Sequence, residues 1–137
     1  MSEPVETVRR YLDGLKRLDA AAMVAEVAED VALLLPFAPE GMPKRIDGKA
    51  AFEAFLAPVT GGLWQEIVFP TMDIRAEADP NRVIAEYTSR GTFANGQPYA
   101  NTYANLFRLR DGKIVETIEF FDPVALTRGL APAPAGG

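Results

Sequence analysis

The sequence predicts an α+β domain in which N-terminal helices cover one face of a curved antiparallel sheet. Three observations carry that expectation. Apolar residues recur at helical spacing in the first sixty or so positions. Strand-like runs follow at 64–78, 82–93, 97–109 and 113–121, and compact turn signals separate them. Helices first and a meander second put the helices on one side of the sheet. With 137 residues, no internal repeat and no mid-chain linker, residues 1–130 are expected to form one domain. The Ala-Pro-rich residues 131–137 have nothing to pack and are expected to form a disordered tail.

In order along the chain, Val5, Val8, Tyr11, Leu12, Leu15 and Leu18 form one stripe of a helix over 3–18, with Ser2 as its cap and Pro4 in its first turn. Asp19 caps a second helix, Ala20 to about Ala28, with Met23, Val24 and Val27 on its apolar face. Val31 to Leu35 reads as a short buried strand that ends at Pro36, and the proline-rich stretch to Lys44 as a loop. Asp47-Gly48 opens a third helix, Lys49 to Ala57, with Phe52, Phe55 and Leu56 inward. The four strand runs are joined by Asp79-Pro80-Asn81, Asn95-Gly96 and Arg110-Asp111-Gly112. Pro123 closes the sheet and starts a short last helix, Val124 to Arg128, capped by Asp122.

Turn length decides which side chains share a face. Taken as a two-residue turn, Asn95-Gly96 pairs Ala94 with Gln97, which sets Arg90 opposite Asn101, Thr88 opposite Tyr103 and Glu86 opposite Asn105. A three-residue loop at Arg110-Asp111-Gly112 sets Asn101 opposite Phe121, Tyr103 opposite Glu119 and Asn105 opposite Thr117. One face then reads Glu86, Thr88, Arg90; Asn101, Tyr103, Asn105; Thr117, Glu119, Phe121. The other carries Tyr87, Ala104, Ile118 and Phe120. Two readings of the polar face stay open. It is either solvated, the default for antiparallel sheets, or roofed by the helices as the floor of an apolar-walled pocket. In the second case desolvation raises a carboxyl pKa toward acid–base use. Glu119 and Glu86 flank Tyr103 there, Arg90 holds charge, and Asn101 and Asn105 donate to an oxygen. Trp64, Phe37 and Phe121 read as pocket or core wall, and Met23, Met42 and Met72 as packing.

Composition narrows the chemistry. The chain has no His and no Cys, which excludes Ser-His-Asp triads, thiolate nucleophiles, iron–sulfur clusters and nearly every catalytic zinc site. Acid–base work falls to Asp, Glu, Tyr, Lys or Arg, and no metal or other cofactor is expected. A net charge of −5 disfavours nucleic acid and acidic membranes as partners. The longest apolar run, Val31 to Leu35, is far too short to span a bilayer. Without an apolar leader run, the expected location is the cytoplasm.

Residues 5–18 read V-E-T-V-R-R-Y-L-D-G-L-K-R-L, and 105–123 read N-L-F-R-L-R-D-G-K-I-V-E-T-I-E-F-F-D-P. With Tyr99-x-Asn101-x-Tyr103-x-x-x-Phe107, Gly112-Lys113-Ile114 and Glu119-Phe120-x-x-Pro123, the chain resembles the SnoaL-like and ketosteroid-isomerase-like members of the nuclear transport factor 2-like superfamily. Its motifs are most similar to those of the phenazine-biosynthesis A/B-type proteins. The resemblance implies a cone-shaped α+β fold with a deep internal pocket, a small hydrophobic or cyclic organic ligand, and a homodimer through the sheet's outer face. It makes the polar face the pocket floor. Tyr11 matches the ketosteroid isomerases' oxyanion-hole tyrosine, while Asn105 stands in place of their protonated Asp. Leu35 stands where their catalytic Asp precedes a proline, which argues against steroid isomerisation. Glu86, Thr88 and Glu119 stand where limonene-epoxide hydrolases have Asp, Arg and Asp, which argues against epoxide hydrolysis. Glu119 matches the acid–base glutamate of the phenazine-type proteins, whose pocket His has no counterpart here.

The functional expectation is isomerisation, dehydration or a related proton transfer on a cyclic or polycyclic substrate. Glu119, Tyr103, Asn105 and Glu86 are the expected catalytic set. Tyr11, Arg90, Thr88, Asn101, Thr117, Phe121, Phe37, Trp64 and Leu35 are the expected binding set. A non-catalytic ligand-binding or dimeric interaction protein of the same fold is the alternative.

Overall fold

The computed structural model describes residues 3–130. The expected cap Ser2 and the tail 131–137 lie outside the described residues. Helix α1 (Glu3–Lys16) buries Val5, Val8, Tyr11 and Leu12. Asp19 then accepts a hydrogen bond from the Ala22 amide at 3.0 Å and starts α2 (Ala20–Val24). That helix is one turn shorter than its apolar spacing predicts. The Ile114 amide donates to Glu26 O at 3.0 Å, and Val27 pairs with Ile114, so sheet pairing takes the residues that would have continued the helix.

Strand β1 (Val27–Leu34) pairs in parallel with the last strand, the one departure from antiparallel pairing among the described residues. The loop 36–44 folds back, and β2 (Arg45–Asp47) pairs with β1. Helix α3 (Lys49–Gly61) follows, with Phe52 and Leu56 buried. The run expected at 64–78 is two strands, β3 (Trp64–Val68) and β4 (Met72–Ala76). Pro70 sits at the break, where it has no N–H to give to a ladder. Both strands pair with the same edge of β5 (Arg82–Phe93). Strands β6 (Pro98–Arg110) and β7 (Lys113–Phe121) and helix α4 (Pro123–Leu130) complete the chain. The sheet order is β2-β1-β7-β6-β5-β3, and the curved sheet stays unclosed around the helices.

Two turns decide which residues reach the helices. In the β5–β6 hairpin the Phe93 amide donates to Gln97 O at 2.9 Å, and Gly96 alone takes a positive φ, +88°. The connection therefore holds three residues, Ala94 to Gly96, not two. Every β5 residue shifts by one position against β6, placing Tyr87 opposite Tyr103 and Ser89 opposite Asn101. A slip of one residue exchanges the two faces of a strand. Val83, Ala85, Tyr87 and Ser89 thus point inward and are buried, while Glu86, Thr88 and Arg90 point outward.

The β6–β7 connection is also one residue off expectation, but in the other sense. Asp111 and Gly112 form a two-residue turn, both at positive φ. A bulge then doubles the shift, and Asn105 faces Glu119. A shift of two preserves parity. Asn101, Tyr103 and Asn105 share the inward face with Thr117, Glu119 and Phe121.

Trp64 stacks on Phe93 with centroids 4.7 Å apart, and Tyr99 packs against both rings at 5.0 Å. Helix α4 lies over Phe93 at Gly129, whose carbonyl accepts from Asn95 Nδ2 at 3.1 Å. Among the described residues no helix is long and apolar enough to cross a membrane.

At Gly91 the neighbouring strand β3 leaves no room for a side chain. A Cβ there would stand 2.3 Å from Glu66 O and 2.9 Å from the Ile67 Cα, both backbone atoms that cannot swing aside. Gly91→Ala is expected to destabilise the domain by roughly 2 kcal/mol or more, measured by urea denaturation.

Candidate functional site

Between the sheet's inner face and helices α1 to α4 lies a cavity of about 340 Å³. Its wall is almost wholly apolar: Leu15, Leu35, Met42, Phe55, Phe69 and Leu126 are among its lining. The polar side chains on the wall converge from four elements. They are Tyr11 of α1, Tyr87 of β5, Tyr99 and Tyr103 of β6, and Glu119 of β7. Trp64, Leu35 and Phe121 from the expected binding set also line it.

Glu119 is the one charged residue of this lining, and its carboxyl makes no hydrogen bond to another described residue. Burial without a compensating partner pushes its pKa up from 4.5 to about 7. The Tyr11 hydroxyl likewise has no hydrogen-bond partner among the described residues. Its ring is held between Phe107, edge-on at 5.6 Å, and Phe52 at 6.3 Å. Burial, and behind it the charge of Glu119, raises the Tyr11 pKa far above the ordinary phenol value. Tyr87, Tyr99 and Tyr103 are raised too, burial being the largest cause in each. All four phenols are therefore protonated at neutral pH and offer donors.

The remaining inward polar groups satisfy one another. Asn105 is fully buried. Its Oδ1 accepts from Thr117 Oγ1, and its Nδ2 donates to Tyr87 Oη at 3.4 Å. Tyr103 stacks on Tyr87 at 4.7 Å, and its hydroxyl lies 2.8 Å from both Ser89 Oγ and Tyr99 Oη. Asn101 clamps the end of the sheet: its Oδ1 accepts from the Asp122 and Thr102 amides, and its Nδ2 donates to Tyr99 Oη at 2.7 Å. Asn105, Thr117 and Asn101 therefore stand behind the wall as supports for the tyrosines and do not line the cavity.

Four expected site residues lie elsewhere. Glu86 is on the outer face, where Arg75 Nη2 donates to it at 2.6 Å. Thr88 is bonded there to Thr71, Oγ1 to Oγ1 at 2.6 Å, and Arg90 is exposed on the same face. The hairpin's one-residue shift is the reason for all three. Phe37 is 54% exposed and packs edge-on against Phe120 at 5.4 Å on the outer face.

Sequence reasoning missed Tyr87 and Ser89 as inward residues. A signal for them was present. Glu86 and Arg90 alternate with Ala85, Tyr87 and Ser89, and two opposite charges spaced four apart on a strand mark its solvated face.

In the unfolded chain the Glu119 carboxyl titrates near 4.5, and in the fold near 7. Between those values the folded state binds more protons, so stability is full below pH 4.5 and falls as pH rises through 7. Glu119→Gln removes this dependence. The variant's stability relative to wild type is expected to improve by on the order of 3 kcal/mol from pH 4 to pH 8, read by urea denaturation at each pH.

The SnoaL-like domain family matches residues 8–117. Over 122 residues the chain is 30% identical to the uncharacterised protein YesE of Bacillus subtilis (strain 168), covering 88% of this chain and 82% of that one. The crystal structure of a candidate isomerase from Bacillus subtilis shares the fold with a TM-score of 0.82 and 28% identity, covering 94% of this chain and 95% of that one. That of a candidate polyketide cyclase from Xanthomonas campestris pv. campestris has a TM-score of 0.79 and 28% identity, over 94% and 97% of the two chains. Match length and fold likeness agree: this chain belongs to the SnoaL-like domain family.

Proposed function

We propose that the protein is a cofactor-independent enzyme that moves a proton beside a carbonyl of an uncharged, cyclic organic substrate. The observation that carries this reading is Glu119. It is a carboxyl without a hydrogen-bond partner in an apolar, tyrosine-ringed cavity, with a pKa near 7. Such a group is a general base at neutral pH and keeps enough basicity to take a carbon-bound proton. The Tyr11 hydroxyl supplies a donor for the oxygen on which negative charge develops. Likeness to the candidate isomerase and the candidate polyketide cyclase supports a substrate of this kind. Glu86 and Arg90, on the outer face, have no part in the chemistry, and Asn105 acts only by holding Tyr87.

The test uses 2-tetralone, a neutral bicyclic ketone with acidic α-protons, in deuterated buffer near pH 8. Wild-type protein is expected to speed deuterium entry at the α-carbon over buffer. Glu119→Gln is expected to slow the protein-catalysed rate by about 10²–10⁴-fold while binding the ketone with unchanged affinity. Binding without exchange in the wild type would mark a ligand carrier instead.

The reading includes a homodimer through the outer sheet face. Ile84, Ala104, Ile118 and Phe120 are half-buried there and Leu106 is exposed. Around them lie the ion pairs Arg75–Glu86 and Arg108–Glu116. An apolar patch with a charged rim is the build of a protein interface. Sedimentation at micromolar concentration is expected to show a dimer for wild type and a monomer for Phe120→Glu.

A further inference from the structure

The cavity wall carries one acid and no base. Glu119 lies on the inward face of β7 with Thr117 and Phe121, and no Lys or Arg lines the space in front of it. Its carboxyl oxygens have no hydrogen-bond partner among the described residues, yet they are not sealed within packed atoms, so the cavity is what they reach. Every other element around the cavity offers a phenol or an apolar side chain. Helix α1 brings Tyr11, β5 brings Tyr87, and β6 brings Tyr99 and Tyr103. Helices α2, α3 and α4 and strands β1 and β3 bring apolar residues alone.

An ionised carboxylate among apolar atoms is costly until an opposite charge pairs with it. The wall supplies no such charge, so it has to arrive with the ligand. A hard metal ion takes about six oxygen ligands or more. No cluster of three metal-ligating side chains occurs among the described residues to provide them. An organic ammonium ion fits better. Its charge pairs with Glu119, and its apolar skeleton packs on the apolar wall. Aromatic rings attract a cation through the negative charge of their faces, and Phe55, Trp64, Phe69 and Phe121 join the four tyrosines in the lining. The cavity's 340 Å³ falls within the range of roughly 300–1,000 Å³ typical of small-molecule sites.

We propose that the cavity is also a site for lipophilic organic ammonium ions, with Glu119 as their counter-ion inside an aromatic lining. This second ligand class goes beyond the ketone chemistry and rests on the same cavity being the ligand site. It does not depend on Glu119 acting as a base. A bound ammonium ion holds Glu119 ionised and fills the space a ketone would take, so such ions block proton transfer. A carboxylate ligand finds no cation on the wall, and Glu119 repels it.

The experiment uses benzyltrimethylammonium, which cannot shed its charge as a proton, and neopentylbenzene, its neutral isostere. The readout is the ratio of their affinities, which loosened packing does not move selectively. All four phenols of the wall are raised above the ordinary phenol value and stay protonated from pH 6 to pH 8. Glu119, with a pKa of about 7, passes over that range from about one tenth to about nine tenths ionised. The preference of the wild type for the ammonium ion is therefore expected to rise about tenfold from pH 6 to pH 8. In Glu119→Gln the ratio is expected to be flat with pH and at least tenfold below the wild type at pH 8, with isostere affinity kept within about threefold. A wild-type ratio that changes less than about twofold between the two pH values would overturn the proposal.

A second measurement needs no variant. Calorimetry of benzyltrimethylammonium binding in two buffers of different ionisation enthalpy counts the protons released. Close to one proton per bound ion is expected at pH 6 and almost none at pH 8. Binding at pH 6 without proton release would overturn the site even if Glu119→Gln does not fold. A pH-linked preference without deuterium exchange into 2-tetralone removes the base and leaves the ammonium site standing. Exchange that depends on Glu119, with a flat preference, removes the ammonium site and leaves the base. If neither benzyltrimethylammonium nor 2-tetralone binds the wild type at millimolar concentration, the cavity reading and this proposal fall together.

Discussion

Gly96 holds a backbone conformation of φ +88° that side-chain-bearing residues rarely adopt, and with it the β5–β6 connection closes over three residues. Everything on the inner face depends on that closure. It sets Tyr87 against Tyr103 and Ser89 against Asn101, and it turns Glu86, Thr88 and Arg90 to the outside. With a two-residue closure the buried face would have to accept Glu86 and Arg90, and the tyrosine stack at 4.7 Å could not form. Burying such charges costs several kcal/mol per ion. Turn and burial pattern therefore enforce the same register.

That register leaves a cavity wall with few polar groups, and most of them are matched. Asn105 is held by Thr117 and in turn holds Tyr87. Asn101 ties β6 to the end of β7 and starts the chain of hydroxyls that runs through Tyr99 and Tyr103 to Ser89. Unmatched buried polar groups cost stability, so their number in a fold is small. On the cavity wall the Glu119 carboxyl and the Tyr11 hydroxyl have no hydrogen-bond partner among the described residues. Such groups stay available for a ligand because the protein leaves them unpaired.

The electrostatics follow from the same economy of polar contacts. With no cation on the wall, nothing compensates the charge of Glu119, and burial alone raises its pKa to about 7. The cost appears as a fall in stability between pH 4.5 and 7. The return is a base that is half-ionised at neutral pH, next to phenols that stay protonated throughout. On the outer face the sheet does the opposite, pairing Arg75 with Glu86 and Arg108 with Glu116 in water, where such pairs contribute little.

Local patterning by itself determined several of the elements. The α1 stripe, the Asp19 cap, strands β5 and β7 and the Asp122 cap all stand where 3.6- and 2-residue periods and cap chemistry place them. The inward parity of β6 and β7, and with it the place of Glu119, was legible because the turn and the bulge together shift the register by two. Family resemblance carried in the motifs 5–18 and 99–123 supplied the roofed pocket that periodicity alone left undecided. Only the tertiary structure decided the face of β5, the parallel pairing of β1 with β7 and the outward turn of Phe37. Each depends on which partner a backbone finds across the sheet. A hairpin of two or of three residues fits the same Asn-Gly pair, and the choice between them rests on burial summed over the whole strand.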